Sequence, residues 1–199
     1  MIKILYKKKE LFNYLYRNFF CKNKNILISG GSSIKSILYE TVKQSKKINC
    51  RLILSDERLV SLNSNLRNDI FFKYLIKKKI LKKKNFLNYN YKSYSYKKIS
   101  RLNNMLKKIK INHAVMGLGK DGHLASIFDT NYSDQSNFYL VNNSPKKPKT
   151  RITIALKNIH KCKNIILIAS MKNKAKEIKN IRNNKLLKNN LKKLKLLIF

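Results

Sequence analysis

The 199-residue chain is short of most residues that punctuate or balance a sequence: five glycines, two prolines, three cysteines, no tryptophan, and nine acids against 46 lysines and arginines. Each shortage excludes something. Cys21, Cys50 and Cys162 are far apart and odd in number, so they supply neither a disulfide framework nor the Cys-x-x-Cys pairs of a zinc ribbon, and they read as reduced core residues. The longest apolar runs, such as Ile165 to Ala169, fall far short of the roughly 20 residues that cross a bilayer. The first ten residues lack the long apolar stretch and small-residue cleavage site of an export signal. The expectation is a soluble, cytoplasmic protein with no membrane partner. Pro145 and Pro148 mark a loop, not a linker, and no repeat is evident, so residues 1–199 read as a single domain.

What is abundant is positive charge, a formal +37, yet 43% of the residues are hydrophobic and 10% aromatic, so the chain folds. Such a balance points first to nucleic acid, where lysines release counterions from the phosphate backbone. Only seven of the 46 basic residues are arginine, however, and arginine is the cation that recognises bases and phosphates bidentately. Lysine's companions here are Asn, Ile, Tyr and Phe, which share A/T-rich codons, so compositional drift accounts for all of them together. A nucleic-acid partner is not expected. The segment from Asn88 to Lys98, with Tyr89, Tyr91, Tyr94 and Tyr96 among lysines, reads as a drifted surface loop or edge strand in preference to a stacking platform.

Short continuous apolar runs recur at Ile26 to Ser29, Leu52 to Ser55, His113 to Met116, Phe138 to Val141, Ile152 to Leu156, Ile165 to Ser170 and Leu194 to Phe199. Continuity, as opposed to alternation, predicts strands buried on both faces. Helical spacing of apolar residues predicts helices over Ser33 to Lys43 and Asn65 to Ile80, and a further helix follows from Met171 to Arg182. The alternation predicts an α/β fold, a Rossmann-like domain with a largely parallel sheet flanked by helices.

Glycine locates the chemistry. All five glycines fall in two clusters, Gly30 and Gly31 after the first long run, then Gly117, Gly119 and Gly122 after the run ending at Met116. Both clusters follow strands, where an α/β sheet places its ligand crevice, so both point at one site. The first loop, Ile28 to Ile34, offers freed amides, the hydroxyls of Ser32 and Ser33 and a helix start, which suit a phosphate; either serine could instead cap the helix. The second loop contains a literal G-x-G-x-x-G, but the next strand region, Phe138 to Asn143, has no acid, so a dinucleotide is discounted. Asp121 and His123 flank Gly122 in a chain with three histidines, and a histidine on such a turn is poised for proton transfer. His113 and His160 lie in or beside apolar stretches and read as structural. At the end of the second run, Asp56, Glu57 and Arg58 bring two more acids to a strand end; Asp56 and Arg58 are site candidates and Glu57 a structural ion pair with lysine.

Together these residues resemble the 6-phosphogluconolactonase family, itself similar to the glucosamine-6-phosphate deaminases. The family's Ser-Gly-Gly-Ser-Thr-Pro loop resembles Ser29 to Ile34, its Asp-Glu-Arg element followed by Ser-Asn resembles Asp56 to Arg58 with Ser64 and Asn65, and its Gly-x-Gly-x-Asp-Gly-His-x-Ala-Ser segment matches Gly117 to Ser126. Ser144-Pro145, Arg151 to Thr153 and Lys174-Ala175 follow in the family's order. Ser33 and Ile34 replace Thr-Pro, and the stretch from Arg58 to Ser64 is shortened. The deaminases' glutamate after the histidine is absent from Leu124 to Phe128.

The resemblance implies hydrolysis of 6-phospho-D-glucono-1,5-lactone to 6-phosphogluconate in the pentose phosphate pathway, with neither metal nor organic cofactor. His123 would be the base. Asp121 or Asp56 would orient it or the substrate, and Arg58 would stabilise oxyanion charge, a division of roles that the sequence leaves open. Gly30, Gly31, Ser32, Ser33, Asn65, Arg151 and Lys174 would bind the substrate, Arg151 and Lys174 at its phosphate. The alternatives are a deaminase or isomerase of the same fold, and a basic nucleic-acid-binding protein that has kept it.

Overall fold

The apolar runs become strands because their residues are shielded on both sides: Ile26, Leu27 and Ile28 are each 0% exposed, although successive side chains of a strand point to opposite faces. The computed structural model describes residues 2–4, 7–88, 95–119, 121–128, 136–170 and 193–199. In chain order its elements are β1 (Ile2–Ile4), α1 (Lys8–Leu15) continued by a π-helical turn over Tyr16–Phe20, β2 (Asn25–Ile28), α2 (Ser32–Lys43), β3 (Arg51–Leu54) and β4 (Asp56–Arg58). Then come α3 (Ile70–Lys77), β5 (Phe86–Leu87), α4 (Tyr96–Lys107), β6 (His113–Gly117), β7 (Phe138–Val141), β8 (Arg151–Ile154), α5 (Leu156–His160), β9 (Asn164–Ala169) and β10 (Leu194–Ile198).

Seven strands form one parallel sheet in the order β1-β10-β9-β6-β2-β3-β5, so the fold is α/β with helices packed on a parallel sheet. The expected strands at Phe138 to Val141 and Ile152 to Leu156 exist but do not join it. As β7 and β8 they pair antiparallel with each other and with β4 in a second, three-stranded sheet, and the second run stops at Ile154 because Leu156 starts α5. Asp56 to Arg58, polar and without alternation, gave no strand signal; serines and backbone amides satisfy the Asp56 and Glu57 carboxylates in place of water.

The helix expected from Asn65 starts only at Ile70. The reason is local: the N–H groups of Asn68 and Asp69 donate to the Glu57 carboxylate at 2.7 and 3.0 Å, which holds the preceding stretch as a loop. Of the tyrosine-rich segment, residues 89–94 lie outside the described residues, and its end, Tyr96 to Lys98, belongs to helix α4 and not to the expected loop or edge strand. The Ser95 hydroxyl accepts from the Lys98 N–H at 3.3 Å and caps α4. The helix expected over 171–182 lies outside the described residues. Helix α1 was unforeseen, yet Leu11, Phe12, Leu15 and Phe19 recur at helical spacing and all are buried.

All three cysteines are free thiols; Cys50 and Cys162 are buried, and burial pushes both up to about 12. Among the described residues no helix is long and apolar enough to cross a membrane. The interior strand β2 sets a measurable expectation. Ile28→Ala leaves a cavity between two covered faces and should cost about 2 to 5 kcal/mol in urea unfolding, whereas Lys84→Ala on an exposed turn should change stability by no more than about 0.5 kcal/mol.

Candidate active site

Strand β2 lies between β3 and β6: the chain leaves β2 toward β3 on one side, then crosses back to place β6 on the other. Such a reversal opens a crevice at the carboxyl ends of the two diverging strands. Both glycine loops descend into it. The cleft is small and open to solvent, with a cavity volume of about 140 Å³. Of the expected residues, Gly31, Ser32, Ser33, Asp56, Arg58, His123 and Arg151 line it together.

His123 is seated by what Gly119 lacks. A Cβ on Gly119 would lie 2.1 Å from the imidazole Nδ1, so the ring occupies the space a side chain would need. Phe128 packs on the ring, with centroids 4.7 Å apart. Asp121, beside it, is half exposed; its Oδ1 contacts His123 Nδ1 and accepts from Lys146 Nζ at 2.9 Å, while Nζ stands 3.2 Å from the same ring nitrogen. With the proton on Nδ1 facing the carboxylate, Nε2 carries the lone pair. Burial pushes His123 below its ordinary 6.5, Asp121 pulling upward and Lys146 downward, so the ring is neutral at pH 7. Against burial, the bonds from His123 and Lys146 hold Asp121 down to about 2. His113 is the contrast: buried in β6, its Nδ1 3.0 Å from Asn164 Nδ2, it is pushed down to about 4 by burial with Lys24 and Lys163, as suits a structural residue.

The opposite wall is the start of α2. Its N-cap is Gly31, no side chain caps it, and its first turn carries no acid, so amides and dipole face the cleft with Ser32 and Ser33 as the leading residues. Gly30 is required by contact, since a Cβ there would sit 2.3 Å from the Asn68 Cβ.

Beneath Arg58 lies a buried charge network. Glu57, 0% exposed, accepts the N–H groups of Arg58, Asn68 and Asp69 at 2.8, 2.7 and 3.0 Å and pairs with Arg67 at 3.4 Å. Arg67 in turn holds Asp69 bidentately at 3.0 and 3.1 Å. Glu57 is thus a structural ion pair as expected, but with arginine and backbone in place of lysine. It closes the loop that brings Arg58 and Asn68 to the cleft, and Arg58 Nη1 donates to the Leu66 carbonyl at 2.6 Å. Burial pushes Glu57 up to about 7 despite these donors.

Several expected residues hold other positions. Asp56 lines the cleft with both carboxylate oxygens engaged, by Ser55 Oγ at 3.0 Å and Ser126 Oγ at 2.8 Å, so it braces the loop after His123 against β4. Arg151 donates to the carbonyls of Lys146, Lys147 and Pro148 at 3.0 to 3.2 Å, which ties down the loop bearing Lys146. Asn65 is exposed and outside the cleft lining; Asn68, three residues on, lies there instead. Lys174 lies outside the described residues. Sequence reasoning passed over Lys146, Asn68 and Ser126: one lysine of many carries no compositional signal, and Asn68 stood inside an expected helix.

A model of the family described as glucosamine-6-phosphate isomerases/6-phosphogluconolactonase matches residues 21–190. The chain belongs to that family. Among curated members, 6-phosphogluconolactonase of Borreliella burgdorferi is 28% identical in an alignment of 188 residues that takes in 84% of this chain and 79% of that one. The crystal structure of 6-phosphogluconolactonase from Thermotoga maritima superposes with a TM-score of 0.80 at 18% identity, over 100% of this chain and 98% of that chain. A monomeric glucosamine-6-phosphate deaminase gives 0.75 at 15% identity, over 99% and 96%. These two structural likenesses show the family's fold.

The histidine's surroundings can be read by NMR. Asp121→Asn should shift the His123 titration to lower pH and Lys146→Met to higher pH, because the carboxylate favours the imidazolium and the ammonium opposes it. Glu57 sets a second expectation, in stability. Its folded pKa is raised from the ordinary 4.5 to about 7, so the folded state binds the extra proton and stability from this group is lost as pH rises across that window. Relative to Glu57→Gln, the wild type should lose unfolding free energy between about pH 4.5 and 7, as read from urea titrations at each pH.

Proposed function

We propose that the protein hydrolyses 6-phospho-D-glucono-1,5-lactone to 6-phosphogluconate, a reaction that would place it with its substrate in the cytoplasm. The observation that carries the reading is a neutral histidine, held by a carboxylate through Nδ1, in one cleft with the unopposed N-terminus of a helix. The curated Borreliella burgdorferi relative supports it. The phosphate sits at the start of α2, where the amides of Gly31, Ser32 and Ser33 and the dipole favour an anion. Arg58 joins them: its Nε is buried without a partner among the described residues, a donor suited to a phosphate oxygen. Arg58 therefore serves the phosphate in preference to the oxyanion. Arg151 acts mainly by holding the Lys146 loop.

At the other end of the cleft, His123 Nε2 takes a proton from water as the water oxygen bonds to the lactone carbonyl carbon. The imidazolium so formed is stabilised by Asp121. When the tetrahedral intermediate collapses, the bond from carbon to ring oxygen breaks and that oxygen receives the proton back from Nε2. Lys146, beside Nδ1, disfavours the imidazolium at rest and so keeps His123 available as a base.

The deaminase reading has support in the structural likeness to a glucosamine-6-phosphate deaminase. It needs a further carboxylate for ring opening. Among the described lining residues the carboxylate is Asp56, whose oxygens are bonded to serines, and Leu124 to Phe128 supplies no other. The test is turnover of freshly prepared lactone, corrected for spontaneous hydrolysis, beside ammonia release from glucosamine 6-phosphate. Lactone turnover should lose most of its rate in folded His123→Asn. Its acid limb should lie below pH 6.5, since burial lowers the histidine. A folded His123→Asn with full activity, or ammonia release without lactone hydrolysis, would overturn the reading.

A further inference from the structure

Asn68 is 2% exposed, lines the cleft, and carries a side-chain oxygen that no described residue satisfies. Its amide cannot turn round to relieve this. Nδ2 donates to the Asp56 carbonyl at 2.9 Å, which a flipped amide would meet with an oxygen, so Oδ1 is the atom left over. The backbone is held as well: the Asn68 N–H donates to Glu57 Oε1 at 2.7 Å, and its Cβ fills the space that Gly30 leaves open. An acceptor buried without a donor is unfavourable, and natural proteins keep few such atoms without a use.

The use follows from which partners can donate. A phosphate at neutral pH is mostly dianionic and offers only acceptors. The lactone carbonyl and ring oxygen also only accept. What remains on the substrate, given the lactone reading on which this rests, is a ring hydroxyl. We propose that Asn68 is a specificity-determining residue of the cleft, its Oδ1 accepting the hydrogen of one ring hydroxyl of the phosphorylated lactone. Arg58 and Asn68 are brought together because their N–H groups share Glu57 Oε1, at 2.8 and 2.7 Å. One wall therefore presents an unpartnered donor, Arg58 Nε, and an unpartnered acceptor, Asn68 Oδ1. An anion satisfies the first and is repelled by the second, so the wall sorts the phosphate from the hydroxylated ring.

The experiment deletes each partner in turn. Wild type and Asn68→Ala are assayed on the parent lactone and on its 2-deoxy, 3-deoxy and 4-deoxy analogues, with thermal unfolding of both proteins as a check on folding. For the wild type, one analogue should fall about 10- to 100-fold in kcat/KM below the parent. Asn68→Ala should lose a similar factor on the parent and on the other two analogues, yet lose almost nothing more on that one analogue. Three analogues turned over by the wild type as well as the parent would mean that the oxygen is hydrated in the complex, and would overturn the proposal while leaving the lactonase reading intact. A uniform loss in Asn68→Ala across all four lactones would assign Asn68 a purely structural role and overturn it equally. Absence of lactone turnover by the wild type removes the reading and the proposal with it.

Discussion

Strands β2 and β6 are hydrogen-bonded neighbours whose chains depart in opposite directions, and the gap this leaves at their carboxyl ends organises the rest of the molecule. Among the described residues no strand or helix fills that gap, so the loops that leave the two strands face each other across it. One loop turns into a helix and offers amides. The other makes a tight turn around Gly119 and presents a ring nitrogen. The cleft thereby has two unlike poles, one built for negative charge and one for moving a proton, as a phosphorylated ester-like substrate requires. The small sheet of β4, β7 and β8 supplies the third side and carries both arginines that line the cleft.

Acids are scarce in this chain, and where they stand shows what they are for. Of nine, Asp56, Glu57, Asp69 and Asp121 all serve the cleft or its supporting loop. None of the four acts as an isolated surface charge. Three are buried and have their oxygens occupied by backbone amides, serines or an arginine, which is what makes burial of a carboxylate tolerable. The fourth, Asp121, shares its charge between a ring and a lysine. In a chain so rich in lysine, these carboxylates have specific partners.

How much of this could be read beforehand depends on whether the signal was local. The long strands were legible because burial on both faces imposes an unbroken apolar run, and the glycine clusters because a missing side chain marks a close contact. Which runs would share a sheet was not: Phe138 to Val141 is as apolar as the parallel strands and Ile152 to Ile154 is fully buried like them, so only their pairing partners set them apart. His123 and Asp121 were visible through their spacing. Asn65 drew attention through a dipeptide, whereas the residue in the cleft is Asn68, because Glu57, eleven positions upstream, delays the helix until Ile70. Lys146 reaches Asp121 only through the loop that Arg151 ties down, a contact between distant segments that no window of sequence displays.

The outermost pairing, Ile2–Ile4 beside residues 196–198, joins the two extremes of the chain. Every other strand of the parallel sheet can find a neighbour within the stretch running from β2 to β10. This one depends on a partner nearly two hundred residues away, and without it β10 would present a bare strand edge, which invites pairing with other molecules. A three-residue strand is too short to be a strong template itself. β1 thus covers an edge of β10 with a segment distant in sequence, so the rim of the sheet depends on a contact of the longest range in the fold.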